Sequence, residues 1–226
     1  NLMIAYIKDR NGGETKYEYD NRGLLTKKRV LGTGDIIAYG YDELGNRETM
    51  TDATGTSTYE YNGNNWLIAV ETGGRSQISY AYDDIGNITN IEDRLGNNTE
   101  YTYDKSGRME TVSFGGRTIT YRYDENGNRA SISYDGGAEE SYAYDKSNRL
   151  LKLTNTKGGG SIISEYSYTY DKAGRQTSKE DGYGRTEYTY DKAGRVQKVE
   201  TPGKTTVYAY DGAGNRISQD ETYTSE

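Results

Sequence analysis

The sequence predicts an all-β chain: tandem antiparallel hairpin repeats forming a long curled or spiral sheet, a barrel-like ribbon. Three observations predict it. A Tyr-x-Tyr-Asp-x-x-Gly motif recurs ten times, opening at Tyr17, Tyr39, Tyr59, Tyr80, Tyr101, Tyr121, Tyr142, Tyr168, Tyr188 and Tyr208. The steps are 22, 20, 21, 21, 20, 21, 26, 20 and 20 residues, and regular self-similarity of this kind marks a repeat architecture. Glycine clusters fall between the motifs, as at Gly73-Gly74 and Gly115-Gly116, so each repeat carries two turn signals.

Each motif reads as a strand entering a tight turn. Tyr17 and Tyr19 are two apart and share a strand face. The aspartate supplies a side-chain acceptor for a type I turn, and the glycine supplies a left-handed backbone. The signature residues are Tyr19, Asp20 and Gly23; Tyr41, Asp42 and Gly45; Tyr103, Asp104 and Gly107; Tyr123, Asp124 and Gly127; Tyr170, Asp171 and Gly174; Tyr190, Asp191 and Gly194; and Tyr210, Asp211 and Gly214. The third copy has Asn62 for Asp and Asn65 for Gly, and the seventh has Asn148 for Gly. Asparagine tolerates a left-handed backbone better than other non-glycine residues.

The strand after the turn is apolar at the fifth position past the glycine in seven copies: Met50, Val70, Ile91, Val112, Ile132, Leu153 and Val199. Residues between the paired tyrosines are small or polar, as a wetted face requires. Ten such repeats give about twenty strands, and an open sheet of that width must coil, close or split. Aligned repeats would stack the tyrosines into aromatic ladders on one face. The whole chain, 1–226, reads as one array and as a segment of a longer protein. Asn1 to Arg10 and Ser218 to Glu226 read as repeat interior with open edges.

Composition narrows the function. Only 31 of 226 residues are Leu, Ile, Val or Phe, and 25 tyrosines supply the missing apolar mass. The net charge of −7 argues against nucleic acid and anionic lipid as partners. No apolar run reaches the ~20 residues of a membrane helix, so no membrane insertion is expected. With no His and no Cys, a Ser-His-Asp or Cys-His nucleophile and a Cys/His zinc site are excluded.

Paired carboxylates at Glu139-Glu140, Asp83-Asp84 and Glu92-Asp93 are candidates for acid–base chemistry, and solvated turns explain them better. The repeated aspartate is a candidate calcium ligand, but one carboxylate per turn is too few donors. No catalytic residue, metal or cofactor is therefore assigned. Tyr59, Tyr61, Tyr80 and Tyr82 with Trp66 form a candidate carbohydrate-stacking platform. Packing of the same rings, with Trp66 plugging a turn that lacks glycine, is the competing account. Arg108, Arg149, Arg175 and Arg195, each following the turn, could stack on a neighbouring tyrosine or pair with an aspartate.

The motif and its ten copies resemble the YD-repeat, or Rhs-repeat, family. The resemblance implies a hairpin ribbon wound into a hollow shell. In bacterial polymorphic toxins and insecticidal toxin complexes such shells enclose a toxic C-terminal domain, and in teneurins a related shell presents an adhesion surface. It therefore implies a secreted or cell-surface protein, bacterial in origin. It also implies flanking toxin or effector domains of the same polypeptide as partners, or glycans. Like chains joining through open sheet edges would make a fibre. The Asp-Pro self-cleavage signature of toxin members is absent, since the one proline, Pro202, follows Thr201.

Overall fold

A computed structural model describes residues 5–224. The parts of the terminal stretches at residues 1–4 and 225–226 lie outside the described residues. The chain falls into two compact units, Asn1–Gly116 and Arg117–Glu226. Among the described residues twenty-one strands, numbered in chain order, carry them. β1 (Tyr6–Lys8) to β11 (Met109–Phe114) form the first unit, and β12 (Arg117–Tyr123) to β21 (Arg216–Tyr223) form the second. Among the described residues there is no helix.

Within each unit every strand pairs antiparallel with the next, giving a meander of hairpins. β2 (Glu14–Tyr19) pairs with β3 (Leu25–Val30), and β3 pairs with β4 (Ile36–Tyr41). The first hairpin has a three-residue loop. The Asp20 amide donates to the Leu24 carbonyl at 2.9 Å, and the Gly23 amide donates to the Asp20 carbonyl at 3.0 Å. Gly23 lies at φ 87°. This is a type I turn closed by a left-handed residue, a common short hairpin connection. Asn65 at φ 62° and Asn148 at φ 60° take the glycine position in the third and seventh copies.

The register holds a feature that the motif does not spell out. In each of the ten Tyr-Asp hairpins, pairing slips by one residue just before the second tyrosine. One extra residue on the returning strand, such as Thr26 or Glu48, forms a bulge. The bulge sets the apolar pattern, because it brings the fifth residue past the glycine opposite the first tyrosine. Thus Tyr39 faces Met50, Tyr101 faces Val112 and Tyr188 faces Val199. In the three copies without an apolar fifth residue, Tyr17 faces Lys28, Tyr168 faces Lys179 and Tyr208 faces Gln219.

Burial is shallow, as a single layer of sheet requires. Among the described residues Ile132, at 6 % exposure, is the one buried hydrophobic side chain. Ser131, Ser178 and Thr206 are the other buried residues. Tyrosines 17 and 19 are half-buried while Glu18 between them is exposed, and most copies repeat this alternation. Stability in such a sheet comes from each hairpin's contacts with its neighbours.

Candidate functional site

The Tyr-Asp turn is the site the sequence repeats, and its geometry is uniform. In all ten copies the carboxylate or amide oxygen Oδ1 of the turn-opening residue accepts a bond from the backbone amide four residues on. At Asp191 it also accepts from the Ala193 amide at 2.9 Å. In eight copies the other oxygen binds the side chain four residues on: Arg195 Nε reaches Asp191 Oδ2 at 2.7 Å, and Asn46 Nδ2 reaches Asp42 Oδ2 at 2.9 Å; in the first copy Arg22 Nε takes Asp20 Oδ2. These donors hold the turn aspartates below the ordinary carboxylate range. The largest cause at Asp42 is the Asn46 side chain, and at Asp191 it is the Arg195 amide. Both oxygens are spent within the turn. Among the described residues no group of three acidic side chains gathers that could hold a metal ion.

The residue after the glycine also reaches the next repeat. Arg149 Nη1 donates to the Asp171 carbonyl at 3.0 Å, and Arg195 Nη1 donates to the Asp211 carbonyl at 3.3 Å. Arg149, Arg175 and Arg195 lie over the rings of Tyr170, Tyr190 and Tyr210, at 4.9, 4.7 and 4.5 Å. Stacking on tyrosine and pairing with aspartate thus occur in the same side chain. Cations also lie over the first tyrosines: Arg47 covers both Tyr39 and Tyr59, and Arg216 covers Tyr208. Arg47 thus bridges the rings of two successive repeats.

The second tyrosine carries a link that sequence reasoning missed. The Tyr41 hydroxyl donates to the Leu25 carbonyl of the preceding repeat at 2.8 Å. Tyr61, Tyr82, Tyr103, Tyr170, Tyr190 and Tyr210 bond the carbonyls of Arg47, Leu67, Ile88, Leu150, Gln176 and Val196 at 2.6 to 3.0 Å. The pairing between repeats explains why. β3 and β4 pair only as far as Lys27 with Ala38, two residues short of Leu25. The Leu25 carbonyl lies past the end of the ladder, and the phenol satisfies it. The spacing of two tyrosines before the aspartate is the signal that could have found this link. Desolvation pushes the Tyr61, Tyr82, Tyr103, Tyr170 and Tyr190 hydroxyls up.

Trp66 is half-buried. Its ring meets Tyr82 at 5.2 Å between centroids, tilted 43°. A side chain at Gly86 would sit 2.8 Å from Trp66 Cζ2. Trp66 therefore lies on the next repeat's turn, where the first copy places Leu24 and the other copies place Arg or Asn. Of the other candidate sugar-stacking residues, Tyr59 lies under Arg47, Tyr80 faces Ile91, and Tyr61 and Tyr82 donate their hydroxyls to the carbonyls of Arg47 and Leu67.

The paired carboxylates do not form facing pairs. Glu139 and Glu140 are successive strand residues and point to opposite faces. Asp83 and Asp93 each cap a turn, through the Ile85 and Leu95 amides. Glu140 instead accepts bonds from the hydroxyls of Tyr134 (2.6 Å) and Tyr142, an arrangement that pushes Tyr134 up to about 12.

The sequence pattern of the Teneurin YD-shell family matches residues 68–225, more than half of the chain. The chain belongs to the teneurin YD-shell family. The RHS repeat pattern matches residues 41–77 within this YD-shell chain. No curated protein sequence matches it. Among solved structures, a crystal structure of TcdB2-TccC3-Cdc42 is similar, at 18% identity and TM-score 0.67, over 98% of this chain and 15% of that one. TcdB2-TccC3-TEV is similar at 14% identity and TM-score 0.65, over 96% of this chain and 15% of that one. The Photorhabdus luminescens Tc holotoxin pore is similar at 14% identity and TM-score 0.54, over 96% and 18%. At these identities the likeness shows the fold. The YD-shell chain spans about 15% of the first two of these chains.

Proposed function

We propose that this YD-shell segment is non-catalytic wall in a secreted or surface-displayed protein. The wall encloses or presents a toxin or effector domain carried by flanking polypeptide. The observation that carries this reading is the direction of the repeated polar groups. Turn carboxylates, arginines and tyrosine hydroxyls bond their own turn or the adjacent repeat, so the motif spends its chemistry on continuity of the sheet. The similarity to the Tc toxin structures supports the same reading. In the candidate glycan platform Arg47 covers Tyr59, Trp66 packs on Tyr82, and the Tyr61 and Tyr82 hydroxyls bond backbone carbonyls, so no observation favours it.

Protease protection of the parent polypeptide tests the proposal. The flanking domain should resist cleavage while this segment is folded and lose that resistance when the Tyr170→Phe, Tyr190→Phe and Tyr210→Phe substitutions are combined and the segment melted. Equal cleavage rates with the wall intact and melted would overturn enclosure.

A further inference from the structure

The 26-residue step lengthens one hairpin beyond its neighbours. Its strands are β15 (Leu150–Thr156) and β16 (Ile162–Tyr170). One flank is covered. β14 (Glu139–Tyr144) pairs with β15 as far as Glu139 with Thr156. Beyond it, a side chain at Gly158 would meet the Gly136 carbonyl oxygen at 2.5 Å.

The other flank is open. β17 (Gln176–Asp181) pairs with β16 from Tyr170 only as far as Ser167, opposite Glu180. Ile162 to Tyr166 therefore have β15 on one side and no strand on the other. Across this gap stands the tip of the next hairpin, with Tyr183 at 94 % exposure. The notch between them measures about 700 Å³, and its lining includes Ile162, Ile163, Glu165, Tyr166, Glu180 and Tyr183.

We propose that this notch is a strand-addition site for an extended peptide of alternating apolar and polar residues carrying one Lys or Arg. The backbone dictates the extended form, because an unpaired strand edge is completed by another strand. Five residues span roughly 17 Å, enough for a five- or six-residue partner. The segment lacks the Lys and Pro that blunt exposed edges, and its one irregularity is a bulge at Ile163, between the pairs of Ser164 with Asn155 and of Ile162 with Thr156. Ile162 and Ile163, at 62 % and 64 % exposure, and Tyr183 offer apolar surface on both sides of the added strand.

Charge selects the cation. The lining holds Glu165, Glu180 and Asp181 and no Lys or Arg. Lys152 holds Glu165 at 3.0 Å and Lys179 holds Asp181 at 2.7 Å. Among the described residues Glu180 makes no such pair: Arg185, opposite it on the next strand, is held by Glu187 at 2.8 Å, and a peptide cation completes Glu180.

The test uses this chain and a peptide labelled with fluorescein at its amino terminus, Thr-Val-Lys-Val-Thr-Val-amide, read by anisotropy and amide hydrogen exchange. Saturable binding is expected, with slowed exchange at 162–166. Methylating the peptide's backbone nitrogens should abolish binding. Glu180→Lys, on an exposed position that leaves the fold intact, should weaken the peptide roughly two- to fivefold. The same variant should improve binding of the analogue with Glu in place of Lys. Absence of binding, equal binding of the methylated peptide, or protection confined to the outer edge of β21 would each overturn the proposal. Indifference to Glu180→Lys would overturn its charge component. None of these outcomes bears on what the wall encloses.

Discussion

At a single turn glycine the backbone leaves little choice. Gly194 sits at φ 83°, and a Cβ there would meet Arg175 Nη1 at 3.6 Å, an ordinary contact. Strain, not space, opposes a side chain. Gly194→Val should therefore cost about 2 kcal/mol, since a left-handed β-branched residue is the worst case. Lys192→Ala, two positions away, should stay within about 0.5 kcal/mol. Thermal melts of the two variants check this, and equal midpoints would refute the turn assignment. Tyr190→Phe tests the phenol link. It removes the donor to the Gln176 carbonyl at 2.6 Å and keeps the ring under Arg175. A loss of about 1 kcal/mol is expected, against no change if the hydroxyl is idle. The turn glycine was legible in the sequence because its reason is local. The phenol link was not, because it depends on a ladder that ends two residues early, and ladder ends are set by both strands.

Hairpins meet their neighbours through the residue that follows the turn, and Trp66 shows how far that position can vary. It stands where eight copies have Arg or Asn and the first has Leu24, and it rests on Gly86 of the next turn. Gly86 and Gly107 are both left-handed, at φ 95° and 74°. A Cβ at Gly107 meets nothing within 4 Å, whereas one at Gly86 would strike the indole at 2.8 Å. Gly86→Ala should then be worse than Gly107→Ala by about 1–3 kcal/mol, the usual cost of overpacking. The excess should vanish in a Trp66→Ala background. A four-variant melting cycle measures it, and an excess that persists without the indole would place Trp66 elsewhere. Strand order and the two turns per repeat were readable from Tyr spacing and glycine clusters. The sequence pattern also held the bulge, in the apolar fifth position, but assigning it required knowing which residue faces the first tyrosine. The overhang of β16 was visible only as an irregular step, since its open flank depends on where β17 stops.

Over the whole molecule the repeated caps make stability a titration. Asp20, Asp42, Asp83, Asp104, Asp124, Asp145, Asp171, Asp191 and Asp211 all lie below the ordinary carboxylate value. The leading cause is the side chain four residues on at Asp42, Asp83, Asp104, Asp124, Asp145 and Asp211. It is the backbone amide at that position for Asp20, Asp171 and Asp191. A carboxylate lowered by folding binds fewer protons folded than unfolded, so its contribution is complete above the unfolded value and disappears as pH falls through the folded one. Glu221, bonded by Lys204 and Tyr223, is held at about 2 and follows the same sign at lower pH. The tyrosines run the other way. Tyr134, bonded to Glu140, titrates at about 12 when folded, so its contribution is complete below about 10 and is lost as pH rises from there to about 12. Tyr170 and Tyr190 are raised by desolvation and add to that alkaline loss. The expected curve of melting midpoint against pH is a plateau between about 5 and about 9, falling on both sides. The acid limb is shared by both units, because each carries several capped turns, whereas the hydroxyl–carboxylate cluster lies in the second. Replacing Tyr61, Tyr82, Tyr103, Tyr170 and Tyr190 with phenylalanine should make the alkaline limb shallower, leaving the part that Tyr134 carries, and should leave the acid limb unchanged. A midpoint that holds constant down to about pH 3 would show that the carboxylate caps contribute nothing to the sheet.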